Sequence, residues 1–110
     1  MISRERRQYS RVELSWSASI NTAQGLIIGE IKNISQSGAL IHCRELPNPD
    51  EAFELTIEIP EYVLPILASA KIVRLDTHIS NSGSPSYDLA VRFLKISEED
   101  LRLLSHAAVS

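Results

Sequence analysis

Apolar and polar residues alternate along most of this chain, with a period of two. In ELSWSASI, Leu14, Trp16, Ala18 and Ile20 alternate with Glu13, Ser15, Ser17 and Ser19, the pattern of a strand with one buried and one wet face. Asn21 to Gly25 supplies turn residues, and GLIIGEIKNIS follows as a second, less regular strand, in which Gly29 is the expected place for a bulge or bend. After SQSG comes a third apolar run, ALIHCREL. FELTIEI alternates again, with Phe53, Leu55, Ile57 and Ile59 on one side and Glu54, Thr56 and Glu58 on the other. Pro60 and Pro65 frame a connection, because proline lacks the N–H that a central strand must donate. ILASAKIVRLD gives a fifth strand, and HISNSGSPS reads as a polar hairpin loop, the segment expected to be most mobile. SYDLAVRFLKI closes the set, with Tyr87, Leu89, Val91 and Phe93 spaced two apart.

Only the C-terminus changes period. Ser97 stands as an N-cap before Glu98, Glu99 and Asp100, where unsatisfied backbone N–H groups favour oxygen acceptors and negative charge. Ile96 and Leu101 occupy the positions of a hydrophobic staple, and Leu101, Leu104 and Ala108 share one face of a helix predicted over 98–107. Six short antiparallel strands must hide their edges, and closure into a small barrel with a helical lid achieves this. The expected class is all-β: a six-stranded antiparallel β-barrel with a C-terminal helix.

Composition narrows the picture. At 110 residues and 44% hydrophobic content, the chain has material for one core and one domain. No apolar run approaches the roughly 18 residues that span a bilayer, and the start does not resemble a signal peptide, so no membrane insertion and a cytoplasmic location are expected. Cys43 is the only cysteine, which precludes an intrachain disulfide and agrees with a reducing compartment.

Charge is unevenly placed. Arg4, Arg6, Arg7 and Arg11 against Glu5 give +3 for residues 1–11, whereas the total is −3, leaving −6 on the remainder. A cationic arm on an anionic body suggests an anionic ligand, although short basic termini are often simply solvated. Residues 1–12 are expected to form a flexible basic arm and 11–110 the barrel domain. At the end of the second strand stands NISQSG, which presents an amide carbonyl at Asn33, a hydroxyl at Ser35 and, at Gly38, either a positive φ or a close backbone approach. Alone, this reads as an ordinary hairpin turn.

Together, RxxxR (Arg7-Gln8-Tyr9-Ser10-Arg11) and NxSxxG (Asn33 to Gly38) resemble the binding pattern of the PilZ family. Arg11-Val12 leading into the first strand, Gly38 to Leu40 opening the third, and VRFLKISEEDLRLL at the end extend the resemblance over essentially the whole chain. It implies a PilZ-type barrel that is a receptor for cyclic di-GMP, a bacterial second messenger, with Arg6, Arg7, Arg11, Asn33, Ser35 and Gly38 as ligand-binding residues. The chemistry agrees: a guanidinium pairs with phosphate oxygens or the O6/N7 edge of guanine and can stack on a base, while the opposite edge of guanine needs acceptors. Asn33 stands where the family often has aspartate, which keeps the acceptor and removes a charge. Tyr9 can stack on a base or pack on the barrel. An arginine immediately before RxxxR, here Arg6, goes in the family with an intercalated pair of ligand molecules, so a stacked dimer of cyclic di-GMP is the expected ligand.

Other classes fit less well. His42, His78 and His106 have no metal-ligand spacing and no nucleophile elbow is present, so neither a catalytic residue, a metal nor a further cofactor is expected. Four arginines on an acidic domain with no recognition helix argue against DNA. The alternative is an interaction module of the same fold that does not bind the nucleotide. With no output module in this sequence, transmission is expected through an effector protein, through self-association or through an exposed surface, and the residues do not identify which.

Overall fold

The computed structural model describes residues 16–109 of the chain, and the side chains of 16–107. Six strands run in order: β1 (Ser17–Thr22), β2 (Gly25–Ile34), β3 (Gly38–Cys43), β4 (Phe53–Glu58), β5 (Ile66–Ile79) and β6 (Pro85–Ile96). They close into an antiparallel barrel with neighbours in the order β1-β2-β3-β6-β5-β4, so every strand has a partner on each side, and β5 beyond Ala70 continues as a hairpin paired with β6 alone. The class is the expected one. The alternating residues supply the interior: Trp16, Ala18 and Ile20 from the first strand and its approach, Phe53, Leu55 and Ile57 from β4, and Leu89 and Val91 from β6 are all buried.

The helix α1 (Glu98–Val109) follows β6 and runs slightly beyond the predicted end at 107. Its cap is the predicted one: Ser97 Oγ accepts the Asp100 N–H at 3.0 Å. Leu104 is 1% exposed and belongs to the barrel core, and Asp100 Oδ2 accepts the Leu67 N–H at 3.2 Å. These contacts seat the helix over one end of the barrel, the end at which β5 begins and β6 finishes.

Two local expectations are corrected. The bulge in β2 lies at Lys32, between the pairs Ile31↔Ile41 and Asn33↔Leu40, whereas Gly29 sits in regular pairing between Ala18 and Cys43. The extra residue lets Ile31 and Ile34 both point inward, so Lys32 and Asn33 are both exposed. The loop expected over 78–86 is shorter, because His78 and Ile79 belong to β5, and Pro85 and Ser86 to β6. Only Ser80–Ser84 turns, and it is internally bonded: Ser80 N–H donates to the Ser84 carbonyl and Gly83 N–H to the Ser80 carbonyl, both at 2.9 Å.

Candidate functional site

The NxSxxG turn joins β2 to β3 at the barrel end that carries α1. The bulge at Lys32 sets its geometry, since it turns Asn33 outward where strict alternation from Ile31 would turn it inward. Asn33 and Ser35 are exposed, while the flanking Ile34 and Ala39 are in the core, so two acceptor side chains stand on a rigid base. Asn33 Oδ1 accepts the Ile34 N–H at 2.8 Å, which fixes the carbonyl and leaves its second lone pair available. Ser35 Oγ makes only long contacts, to Ser37 Oγ at 3.2 Å, from Ser37 N–H at 3.3 Å and to the Gly38 carbonyl at 3.4 Å. A hydroxyl held so loosely exchanges readily for a ligand group.

The turn is tied down on three sides. Ser35 N–H donates to the Gly38 carbonyl and Phe93 N–H to the Ser37 carbonyl, each at 2.9 Å, and Gln36 Nε2 donates to Ser105 Oγ of α1 at 2.9 Å. Of the two properties expected at Gly38, the structure shows the close backbone approach. Gly38 does not have a positive φ, and a Cβ there would collide with the Val91 carbonyl of β6. The close approach is thus between β3 and β6; Gly38 holds the turn against the barrel.

Arg6, Arg7 and Arg11 lie outside the described residues. The place where their segment joins the barrel is nevertheless fixed, because the Trp16 carbonyl accepts the Ile31 N–H at 3.0 Å and Ile31 is two residues from Asn33. Four residues lie between Arg11 and Trp16, so the five Cα–Cα steps span at most about 18 Å when extended. Chain length therefore allows Arg11, the last residue of RxxxR, to reach the turn. A cavity of about 270 Å³ lined by Ser17, Glu58, Tyr62 and Val63 opens beside the same junction, on the β1–β4 side and away from the turn.

Sequence reading missed a second cluster. His42 Nδ1 meets Asp88 Oδ1 at 2.7 Å and His78 Nε2 meets Asp88 Oδ2 at 2.8 Å, so two histidines that look scattered share one carboxylate on the outer face of β3, β6 and β5. Partial burial pushes the Asp88 carboxyl up, but hydrogen bonds and positive charge from the two imidazoles outweigh it and hold it below the usual aspartate range. Strand alternation places Asp88 outward; only the register pairs it with His42. Cys43, 2% exposed, has its thiol pushed up by burial, although it donates to the Glu45 carbonyl at 3.1 Å. Among the described residues no group of three or more His, Cys, Asp or Glu could hold a metal, and no helix is long and apolar enough to cross a membrane.

Known proteins share this architecture. Apo MrkH of K. pneumonia superposes with a TM-score of 0.70 at 14% identity over 84% of this chain and 45% of its own. The Bacillus subtilis inhibitor of motility MotI/DgrA gives 0.69 at 20% identity over 94% and 49%. The PilZ domain of YcgR from Escherichia coli, solved with c-di-GMP, gives 0.63 at 13% identity over 81% and 75%. The chain thus spans about half the length of MrkH and MotI/DgrA, and at these identities the likeness concerns the fold. No curated protein is similar enough in sequence to match. The PilZ domain model matches residues 5–108, a span that includes both RxxxR and NxSxxG, and the chain belongs to the PilZ domain family.

Proposed function

We propose that this protein is a cytoplasmic receptor for cyclic di-GMP that carries no catalysis and signals through a partner protein. The observation that carries the reading is the placement of Asn33 and Ser35, exposed on an anchored turn at the barrel end where the segment bearing Arg7 and Arg11 joins. Two structural neighbours were solved with this ligand, YcgR and the Borreliella burgdorferi PlzA protein, the latter with a TM-score of 0.64 at 15% identity over 94% of this chain and 53% of its own. In this reading Asn33 and Ser35 accept from a guanine edge, and Arg7 and Arg11 pair with phosphate or the O6/N7 edge. Gly38 keeps the turn close to β6 so that the two acceptors face outward together. The arm closes over the ligand at a cost in chain entropy, and its ordering is the signal read by the effector. Arg6 supplies cation for a second, stacked molecule.

Calorimetric titration of the purified protein with cyclic di-GMP is the test. Saturable heat with two ligands per chain, falling to one in Arg6→Leu, and slowed hydrogen exchange over residues 4–12 are expected. Absence of heat would leave a non-binding interaction module as the function, and one ligand in the parent would remove the role of Arg6.

A further inference from the structure

The outer face of the barrel beside the turn carries a feature that costs stability. Gly38 of β3 stands opposite Arg92 of β6, and Arg92 opposite Lys71 of β5. Both cations are exposed, and among the described residues neither has a carboxylate within 4.0 Å; Arg74 is the one lysine or arginine that does, at 3.7 Å from Asp76. Like charges directly across a strand pair are unfavourable, and this pair persists in a body whose net charge is negative. The next outer pair along β3 and β6, Leu40 and Ala90, is uncharged. Further along β6, Asp88 has both oxygens occupied by His42 and His78, and Glu54 of β4, opposite Ser69, makes no ion pair with Lys71 within 4.0 Å. No described carboxylate pairs with Arg92 or Lys71 at salt-bridge distance, and Gly38, packed against the Val91 carbonyl, brings the turn close beside Arg92.

We infer that Arg92 and Lys71 form a second anion subsite of the nucleotide site, which binds a phosphodiester of the ligand where it extends past Gly38 across β6 and β5. The inference rests on the receptor reading above. Three adjacent strands place Lys71 on the order of 10 Å from Gly38, a width that a cyclic dinucleotide can cover. Arg92, the nearer of the two, offers paired donors, and Lys71 adds charge behind it.

The full chain tests this with cyclic di-GMP as probe. Arg92→Gln should weaken binding about tenfold or more, Arg92→Lys should recover part of the loss, and Arg74→Gln, on the same hairpin but already paired, should stay within about twofold. Lys71→Glu separates function from structure, since it places opposite charges face to face. Its melting midpoint without ligand should rise by about 2 °C while binding weakens. A parent that binds while Arg92→Gln and Arg74→Gln behave alike, or a Lys71→Glu protein that melts lower and binds as the parent does, overturns the subsite and leaves the receptor reading standing. A parent that does not bind overturns both.

Discussion

The barrel has two serine-rich turns, Asn33–Gly38 between β2 and β3 and Ser80–Ser84 between β5 and β6, and they spend their hydroxyls differently. In the second, Ser80 Oγ lies 2.9 Å from Ser82 Oγ and accepts the Ser84 N–H at 3.1 Å, and every residue of the turn is exposed. Its serine hydroxyls bond within the turn and nothing buried holds it. In the first, Ser35 Oγ makes only contacts of 3.2 Å or longer, while Ile34, Ala39, the Phe93 N–H and Ser105 anchor the backbone and one side chain. Composition is nearly the same. Anchorage by the core leaves one turn with unspent acceptors in a fixed place, which is what recognition requires, and leaves the other as a self-contained tip.

The largest effect that tests this contrast is at the two glycines. Gly38→Ala should cost about 3 kcal/mol in denaturant unfolding, because the new methyl meets the Val91 carbonyl and β3 must part from β6. Gly83→Ala has open space and pays only for its φ of +88°, about 1 kcal/mol. Equal costs would contradict the difference in anchorage. Next, Arg7→Ala or Arg11→Ala should each weaken cyclic di-GMP binding by about 2 kcal/mol in calorimetry, the loss of a charge-assisted pair in a partly desolvated site. Ser35→Ala should cost about 1 kcal/mol of binding, and Ser82→Ala, the matching change in the tip, nothing measurable. A Ser35→Ala loss exceeding that of Arg7→Ala would reverse the assigned roles.

The smallest effect concerns the ground between the two turns, where Asp88 ties His42 of β3 to His78 near the tip. The folded carboxyl titrates below its ordinary value, so its contribution is complete above pH of about 4 and is lost as pH falls through the depressed folded value. The parent should therefore lose more stability than Asp88→Asn on going from pH 5 into that acid range, measured by denaturant midpoints. Parallel pH profiles would show that the carboxylate contributes nothing to holding the hairpin.

Much of this was legible along the chain. Alternation in SWSASI, FELTIE and LAV marked inward positions, Ser97 with its following acids marked the start of α1, and the spacing of RxxxR and NxSxxG marked a family. Even the bulge had a trace, since Ile31 and Ile34 break the period of two. These are local properties: a strand must show one face to the core, and a helix N-terminus needs an oxygen acceptor, whatever surrounds them. The site was legible as a set of residue types. Its geometry was not, because Gly38 reads equally as a ligand contact or a strand contact until β6 lies beside it.

What only the tertiary structure decided are the pairings between residues far apart in the chain. His42 with Asp88, Gln36 with Ser105, and Arg92 between Gly38 and Lys71 all depend on closure in the order β1-β2-β3-β6-β5-β4, which brings β3 beside β6 across the intervening β4 and β5. Periodicity states which face a residue occupies and nothing about which strand lies next to it. Neighbourhood is set by the need to pair every strand edge and fill one core at once, a condition on the whole barrel that no single segment carries.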